Sequence, residues 1–258
     1  MKKNRVLEKL RADKVVSVTN VGAVPMPWLV ELVGHIGFDC IWFDMEHRCF
    51  SLPDLLSMTV ACRGTGMEAM ARIVKDGYPS VMKPLESGAT GVMIPHCKTA
   101  EEVKQYLDWA KFPPQGKRGF DNAGPDADYL MADISEYVRE INEETFFVIQ
   151  IEDREAIDHL EEIIALDGVD VVFVGPADLS LSFGVFPQTG HPLIMEVVEK
   201  VAVLTAQYGK WWGMPFGTVE QGMELVEKGA RFLSHGSDIR ILGKGYQEVK
   251  DLFSKVVL

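Results

Sequence analysis

This 258-residue chain lacks the features that would tie it to membranes or nucleic acids. No apolar run reaches the roughly 18 residues a membrane helix needs. The N-terminal stretch MKKNRVLEKLRADK is charged throughout and has no apolar centre of the kind a secretory signal carries. Basic charge is in short supply: 26 Lys and Arg stand against 38 Asp and Glu, a formal net charge of -12. That balance argues against nucleic acid, whose phosphates require clustered Lys and Arg, and against an anionic membrane surface. Only four cysteines occur (Cys40, Cys49, Cys62 and Cys97), none in C-x-x-C spacing, so neither a zinc knuckle nor a redox pair is indicated. Reduced thiols in a cytoplasmic protein are the expectation. Cys49 lies close to a site described below and reads as a bystander. There is no linker, low-complexity tract or composition break, and a single domain over residues 1–258 is expected.

What is present is a repeat of structure rather than of sequence. Short apolar runs alternate with amphipathic segments. The runs are VVSVTN (15–20), CIWFD (40–44), AMARIV (69–74), GVMIP (91–95), FFVIQIE (146–152), VVFVG (171–175), WWGMPFG (211–217) and FLSHGS (232–237). Between them lie PWLVELVGHIG, PDLLSMTVACRG, PSVMKPLESGA, TAEEVKQYLDWA and TVEQGMELVEKGA, several opening on a Thr, Ser, Asp or Pro and closing at Gly. Strands alternating with helices imply parallel pairing and right-handed crossovers. Eight such units in about 250 residues predict an α/β fold of the (β/α)8 TIM-barrel type. The competing doubly wound sheet usually carries a Gly-rich phosphate turn after its first strand. Here that turn reads NVGAVPMP, without G-x-G-x-x-G. One long loop-helix insertion, FPPQGKRGFDNAGPDADYLMADISEYVREINEE, separates strands four and five.

Barrel active sites gather where the strands end. In chain order those ends supply Asn20; Asp44, Glu46 and His47; Arg72; His96; Gln150 and Glu152; Asp178; and Ser237 with Asp238. Any one of the acids could merely cap the following helix, as Asp54 and Asp178 could; the convergence of the set favours function. Two apolar strands one βα repeat apart, VIQI and VVFVG, each deliver a carboxylate, Glu152 and Asp178. Such a pair, completed by water and substrate, suits Mg2+ or Mn2+; zinc more often recruits His or Cys. Without a cation, facing carboxylates would repel or hold a proton. In FDMEHR, Asp44 could orient His47 as a general base. Arg72, emerging from an apolar strand, requires an anion, whether substrate or a structural partner such as Asp44 or Glu46.

The ordered set FDMEHR, ARIV, PPQGKRGF, QIEDREA and GPADLS resembles the HpcH/HpaI aldolase family, metal-dependent pyruvate aldolases related to the citrate lyase β subunit. The resemblance spans nearly the whole chain. It implies reversible cleavage of a 4-hydroxy-2-oxo acid to pyruvate and an aldehyde through a metal-stabilised enolate. Alternatives within the same chemistry are oxaloacetate decarboxylation and thioester C–C lysis; a non-catalytic metabolite-binding barrel is the alternative outside it. On matching positions, Glu152 and Asp178 would hold Mg2+, Mn2+ or Co2+, and Arg72 would stabilise the enolate oxygen. His47, paired with Asp44, would move the proton. Gln150, Arg118 and the Gly175-Pro176-Ala177 backbone would bind the keto acid. The family tendency toward trimers of dimers implies a homo-oligomer, a trimer or hexamer, with the last helix on a neighbour; the adjacent Trp211 and Trp212 add weakly to that expectation. Four positions depart from the family pattern: Met45, His96, Glu86 (where relatives often place an Asp reaching a neighbouring site) and the acidic run 121–128, which is expected to disfavour an acidic aldehyde.

Overall fold

A computed structural model describes residues 3–256. Eight parallel strands form the barrel: β1 (Val16–Val21), β2 (Cys40–Asp44), β3 (Glu68–Arg72), β4 (Gly91–Ile94), β5 (Phe146–Ile151), β6 (Val171–Val174), β7 (Trp211–Gly213) and β8 (Phe232–Ser237). Neighbours in sequence pair from β1 to β7, and β8 returns to β1. The Pro215–Ser234 bridge, and the Arg231 N–H donated to the Trp212 carbonyl, join β7 to β8 and close the ring. That seam requires Gly213, because a Cβ there would overlap the Phe232 carbonyl oxygen. The expected (β/α)8 barrel is therefore borne out. The strand boundary that differs most is β7, three residues instead of seven, since Pro215 has no N–H to give a ladder.

Eleven α-helices accompany the strands among the described residues: α1 (Arg5–Arg11), α2 (Pro27–Ile36), α3 (Leu52–Thr65), α4 (Tyr78–Glu86), α5 (Ala100–Ala110), α6 (Ile134–Glu144), α7 (Leu160–Ile164), α8 (Pro176–Ser182), α9 (Pro192–Gln207), α10 (Val219–Glu227) and α11 (Asp238–Val256). Their starts follow the local sequence. Ser51 and Asp54 form a reciprocal capping box on α3, and Thr99, Asp133 and Thr218 accept N–H bonds at the starts of α5, α6 and α10.

The period-two alternation of the strands decides what faces the axis. Val16, Val18, Cys40, Met70, Met93, Phe146, Val148, Val171, Phe173 and Phe232 pack inside, and Val6, Leu7 and Leu10 of α1 stopper the N-terminal end. Their alternates, among them Ile41, Phe43, Val92, Ile94, Ile149 and Val172, face the helices. Continuing the inward parity one step toward the C-terminal end of the strands reaches Asp44, Arg72, Gln150 and Glu152. The barrel's filling thus turns from apolar to ionisable at one end.

The insertion between α5 and β5 starts from the end of α5 and runs over the outside of the barrel. Phe112, Ala127, Tyr137 and Ile141 give it a small core of its own. Trp211 packs among the residues of the barrel interior and Trp212 is buried in the outer layer, so the tryptophan pair belongs to the fold and offers nothing to a partner. The unsatisfied apolar surface lies elsewhere. Every residue of α11 from Ile239 to Val256 is exposed, including Ile241, Tyr246, Leu252 and Phe253, and α2 presents Trp28 at 63% and Ile36 at 67% exposure.

Candidate active site at the C-terminal end of the barrel

At the mouth, Arg72 lies almost fully buried and makes a two-point contact with Asp44: Nε donates to Oδ1 at 3.1 Å and Nη2 to Oδ2 at 2.7 Å. Glu46 Oε2 is 3.2 Å from Arg72 Nε, and the guanidinium lies 4.8 Å over the Trp42 ring. A planar fork matched to a carboxylate and stacked on an aromatic face is a use that Lys could not copy. Burial alone would raise the Asp44 carboxyl, but the Arg72 hydrogen bonds and charge, with the amides of His47 and Glu46, hold it below the ordinary carboxylate range. The other Asp44 bonds go to main chain: Oδ1 accepts from the N–H groups of Glu46 and His47 at 3.2 Å each.

This corrects the expected Asp44–His47 pair. Asp44 shapes the loop that carries His47, yet its carboxylate is spent on Arg72 and on backbone amides rather than on the imidazole. The His47 ring is 55% exposed, and its charged neighbour is Glu46, with Nε2 3.7 Å from Oε2. A buried Arg on the adjacent strand competes for the carboxylate more strongly than a ring that water can reach.

Glu152 follows β5 and is 1% exposed. Its Oε1 accepts the His96 N–H at 2.9 Å, whereas Oε2 is buried without a hydrogen-bond partner, as is Gln150 Oε1 two residues earlier. Burial pushes the Glu152 carboxyl up to about 7, against the opposing pull of His96 and of the Arg72 charge. Gly175, which starts α8, lies against this pair: a Cβ would be 2.5 Å from Glu152 Oε2 and 3.0 Å from Gln150 Nε2. Asp178 is half-buried in the first turn of α8 and does not cap that helix, which has no side-chain cap. Among the described residues no group of three or more His, Cys, Asp or Glu is arranged to hold a metal ion. The donor set is instead the sparse, oxygen-only kind: a buried carboxylate oxygen with nothing to balance it, a second carboxylate one strand over, and an amide oxygen also unpaired. Hard divalent cations with open positions for water and substrate suit such donors, and the residues fit one.

His96 lies two residues past β4, in the left-handed region at φ 49°. Its Nδ1 is 2.9 Å from Asp153 Oδ2 and its Nε2 3.5 Å from Glu46 Oε1. Burial alone would lower this imidazole, but the charges of Glu152, Asp153 and Glu46 hold it above its usual value. Asp153 carries no signal in the sequence beyond its adjacency to Glu152. Trp42 reads as core in an apolar strand, and its only signal is the inward parity it shares with Asp44.

Arg118 is not brought to this mouth. It is buried in the insertion, with Nη2 donating to Asp126 Oδ2 at 2.8 Å and its guanidinium 4.7 Å over Phe112. The insertion leaves the chain at the end of α5, on the far side of the barrel from the strand ends, and that is why its arginine cannot reach its own pocket. The acidic run 121–128 is placed there too: Asp128 pairs with Arg63 of α3, and Asp126 takes the Tyr137 hydroxyl. These carboxylates therefore do not bear on the aldehyde end of this chain's own pocket. Glu86, at the end of α4, is in the same neighbourhood, where burial raises its carboxyl against the pull of Arg118.

A model of the HpcH/HpaI aldolase/citrate lyase family matches residues 24–243. A 5-keto-4-deoxy-D-glucarate aldolase of Klebsiella pneumoniae is 27% identical over 233 residues, 90% of either chain. Among solved structures, an HpcH/HpaI aldolase from Desulfitobacterium hafniense superposes with a TM-score of 0.91 at 31% identity, covering 95% of both chains. An HpcH/HpaI aldolase/citrate lyase family protein from Burkholderia cenocepacia gives 0.89 at 25% identity, covering 97% of this chain and 99% of that one.

Proposed function

Because this chain belongs to the HpcH/HpaI aldolase/citrate lyase family, a family of carbon–carbon lyases, we propose that it cleaves a 4-hydroxy-2-oxo acid reversibly to pyruvate and an aldehyde. The observation that carries this reading is the buried Arg72–Asp44 pair beside a buried Glu152 whose Oε2 has no partner, at the end of the barrel where the strands stop. A binding protein has no need to hold both a fixed cation and an uncompensated carboxylate out of water.

In this reading a divalent cation, Mg2+, Mn2+ or Co2+, held by Glu152 and Asp178, supplies a Lewis acid for the oxygens of the 2-oxo acid. The chain does the rest. The Gln150 side-chain Nε2–H group, and the first-turn N–H groups of Ala177 and Asp178 that a helix leaves without internal partners, orient the keto acid. Pro176 shapes that turn without a donor of its own, and Gly175 keeps the floor open. His47, reached by water at the mouth, takes the proton from the C4 hydroxyl as the C3–C4 bond breaks and the aldehyde forms. The bond's electrons pass to the C2 oxygen. Arg72 Nε and Nη2 are already engaged, so Nη1 is the donor for that oxygen. Its charge is largest in the enolate, so a preorganised donor there acts on the barrier and not on ground-state binding. Return of a proton to C3 gives pyruvate.

The test is exchange of pyruvate methyl protons with solvent deuterium, with Mg2+, Mn2+ or Co2+ and after chelation, followed by aldol cleavage of a substrate panel that includes 5-keto-4-deoxy-D-glucarate. Metal-dependent exchange with cleavage is the expected result; no exchange with any of the three cations would refute the reading. The working form is further proposed to be a homo-oligomer, trimer or hexamer, in the cytoplasm, where the four thiols, all free in the structure, stay reduced.

A further inference from the structure

His96 stands apart from the residues so far given a chemical task, yet it touches most of them. It is a non-glycine residue at φ 49°, a conformation that costs energy and persists only where the surroundings enforce it. Five contacts do so, one of them the ring Nδ1 at 3.7 Å from Glu152 Oε1. The N–H donates to Glu152 Oε1 at 2.9 Å, and the carbonyl accepts from Lys75 Nζ at 2.7 Å. The ring lies with Nδ1 2.9 Å from Asp153 Oδ2 and Nε2 3.5 Å from Glu46 Oε1. One residue therefore ties the end of β4 to the ends of β5 and β2.

The two halves of the residue do different things. The left-handed turn aims the amide at one oxygen of Glu152. That fixes the carboxylate's rotation and leaves only Oε2 bare, so the group is presented through a single oxygen. The ring, besides its 3.7 Å approach to Glu152 Oε1, reaches across to the other side of the pocket. It faces Glu46 at ion-pair distance, and Glu46 Oε2 in turn lies 3.2 Å from Arg72 Nε, so the guanidinium sits between Asp44 and a Glu46 flanked by the imidazole. We propose that His96 is a positioning residue with two separable roles: its backbone sets the carboxylate of Glu152 for a divalent cation, and its imidazole, through Glu46, sets Arg72 for the substrate oxygen. This rests on the function proposed above, and it concerns a residue that touches neither the substrate nor the cation.

Substitutions can separate the roles. His96→Gly keeps the N–H and tolerates positive φ but has no ring. His96→Val disfavours positive φ and so pulls the amide away from Glu152. His96→Asn accepts the left-handed turn and offers a short amide in place of the ring. Mn2+ affinity is read by paramagnetic resonance on the full chain, and kcat and KM by pyruvate proton exchange. His96→Gly, which keeps the N–H to Glu152 and loses only the ring's 3.7 Å approach to Oε1, should keep most of the parental Mn2+ affinity and lose roughly 10- to 100-fold in kcat, the usual consequence of removing a supporting partner, with His96→Asn recovering part of it. His96→Val should weaken Mn2+ binding by roughly 10-fold or more; if it does not fold, His96→Ala, which bears a milder penalty at positive φ, takes its place. Parental kcat in His96→Gly would overturn the ring's role. Parental Mn2+ affinity in His96→Val, or in His96→Ala if that replaces it, would overturn the backbone's. Should the parent itself show no exchange, the proposed reaction fails, while the Mn2+ affinities still decide the backbone's role.

Discussion

At the residue scale, burial turns ordinary side chains into a strained set. Arg72 answers a question its sequence position left open, whether its anion is structural or substrate: Asp44 and Glu46 are permanent partners, and a third donor remains. Arg72→Ala should consequently fail in two ways. Stability should drop by about 3–5 kcal/mol, because Asp44 would be left buried and unpaired, and proton exchange per folded molecule should fall by the equivalent of about 2.7–4 kcal/mol. Chemical denaturation and exchange kinetics on the same preparation measure the two separately. Normal turnover per folded molecule would leave only the structural role. Glu152 has the opposite signature. Its carboxyl titrates near 7 in the fold against an ordinary 4.5. Between those values the folded chain holds a proton that the unfolded chain has released, so this group favours folding at acid pH and withdraws that support as the pH rises through the window. In chelator, melting between pH 5 and pH 8 should show a loss of stability that Glu152→Gln removes. Mn2+ should raise the melting temperature far more at pH 8 than at pH 5 in the parent protein, and little in Glu152→Gln.

At the element scale, strand order delivers the chemistry and glycines make room for it. The parallel register of β5 with β6 pairs Ile151 with Val174, so the residues that follow, Glu152 and Gly175, meet at one level. Gly175→Ala would place a methyl 2.5 Å from Glu152 Oε2. The carboxylate can turn but Glu152 Cβ, 2.9 Å from the methyl, can only shift with its backbone, so the protein should fold with some loss of stability and lose roughly 10-fold or more in Mn2+ affinity as the carboxylate leaves its position; titration calorimetry would check this. Gly213→Ala is a harsher change of the same type. Its methyl would meet the Phe232 carbonyl, a backbone group that cannot turn aside, so the β7–β8 seam should open and soluble yield collapse.

At the scale of the whole molecule, α11 is the element that its own chain does not account for. A 19-residue amphipathic helix with no buried residue beyond Asp238 gains little from its own barrel. It is held only at its root, where Asp238 Oδ2 accepts the N–H groups of Gly22, Ala23 and Val24 at 3.2, 2.8 and 2.8 Å. A second copy offering the exposed apolar face of α2, with Trp28, Leu32 and Ile36, would cover it. Light scattering at micromolar concentration should give a trimer or hexamer, and Leu252→Asp with Phe253→Asp should dissociate it. A monomeric parent would refute the assembly.

The order of strands and helices, the barrel and the residues lining its mouth were legible because they rest on local periodicity: alternation in the strands, caps at the helix starts, and an inward parity that carries Asp44, Arg72, Gln150 and Glu152 to one end. The sequence by itself therefore determined that Asp44, Arg72, Gln150 and Glu152 gather at one end of the barrel. It did not determine which of them pair. Asp44 could have met His47, three residues away, or Arg72, on the next strand. The choice went to Arg72 because two buried charges gain more from each other than a buried carboxylate gains from a ring in water. Arg118 and the acidic run 121–128 read as neighbours of the substrate in a linear motif, and only the path of the insertion, leaving from the far end of α5, put them on the other side of the molecule. Such outcomes depend on distance and burial between segments remote in the chain, and neither quantity exists until the barrel closes.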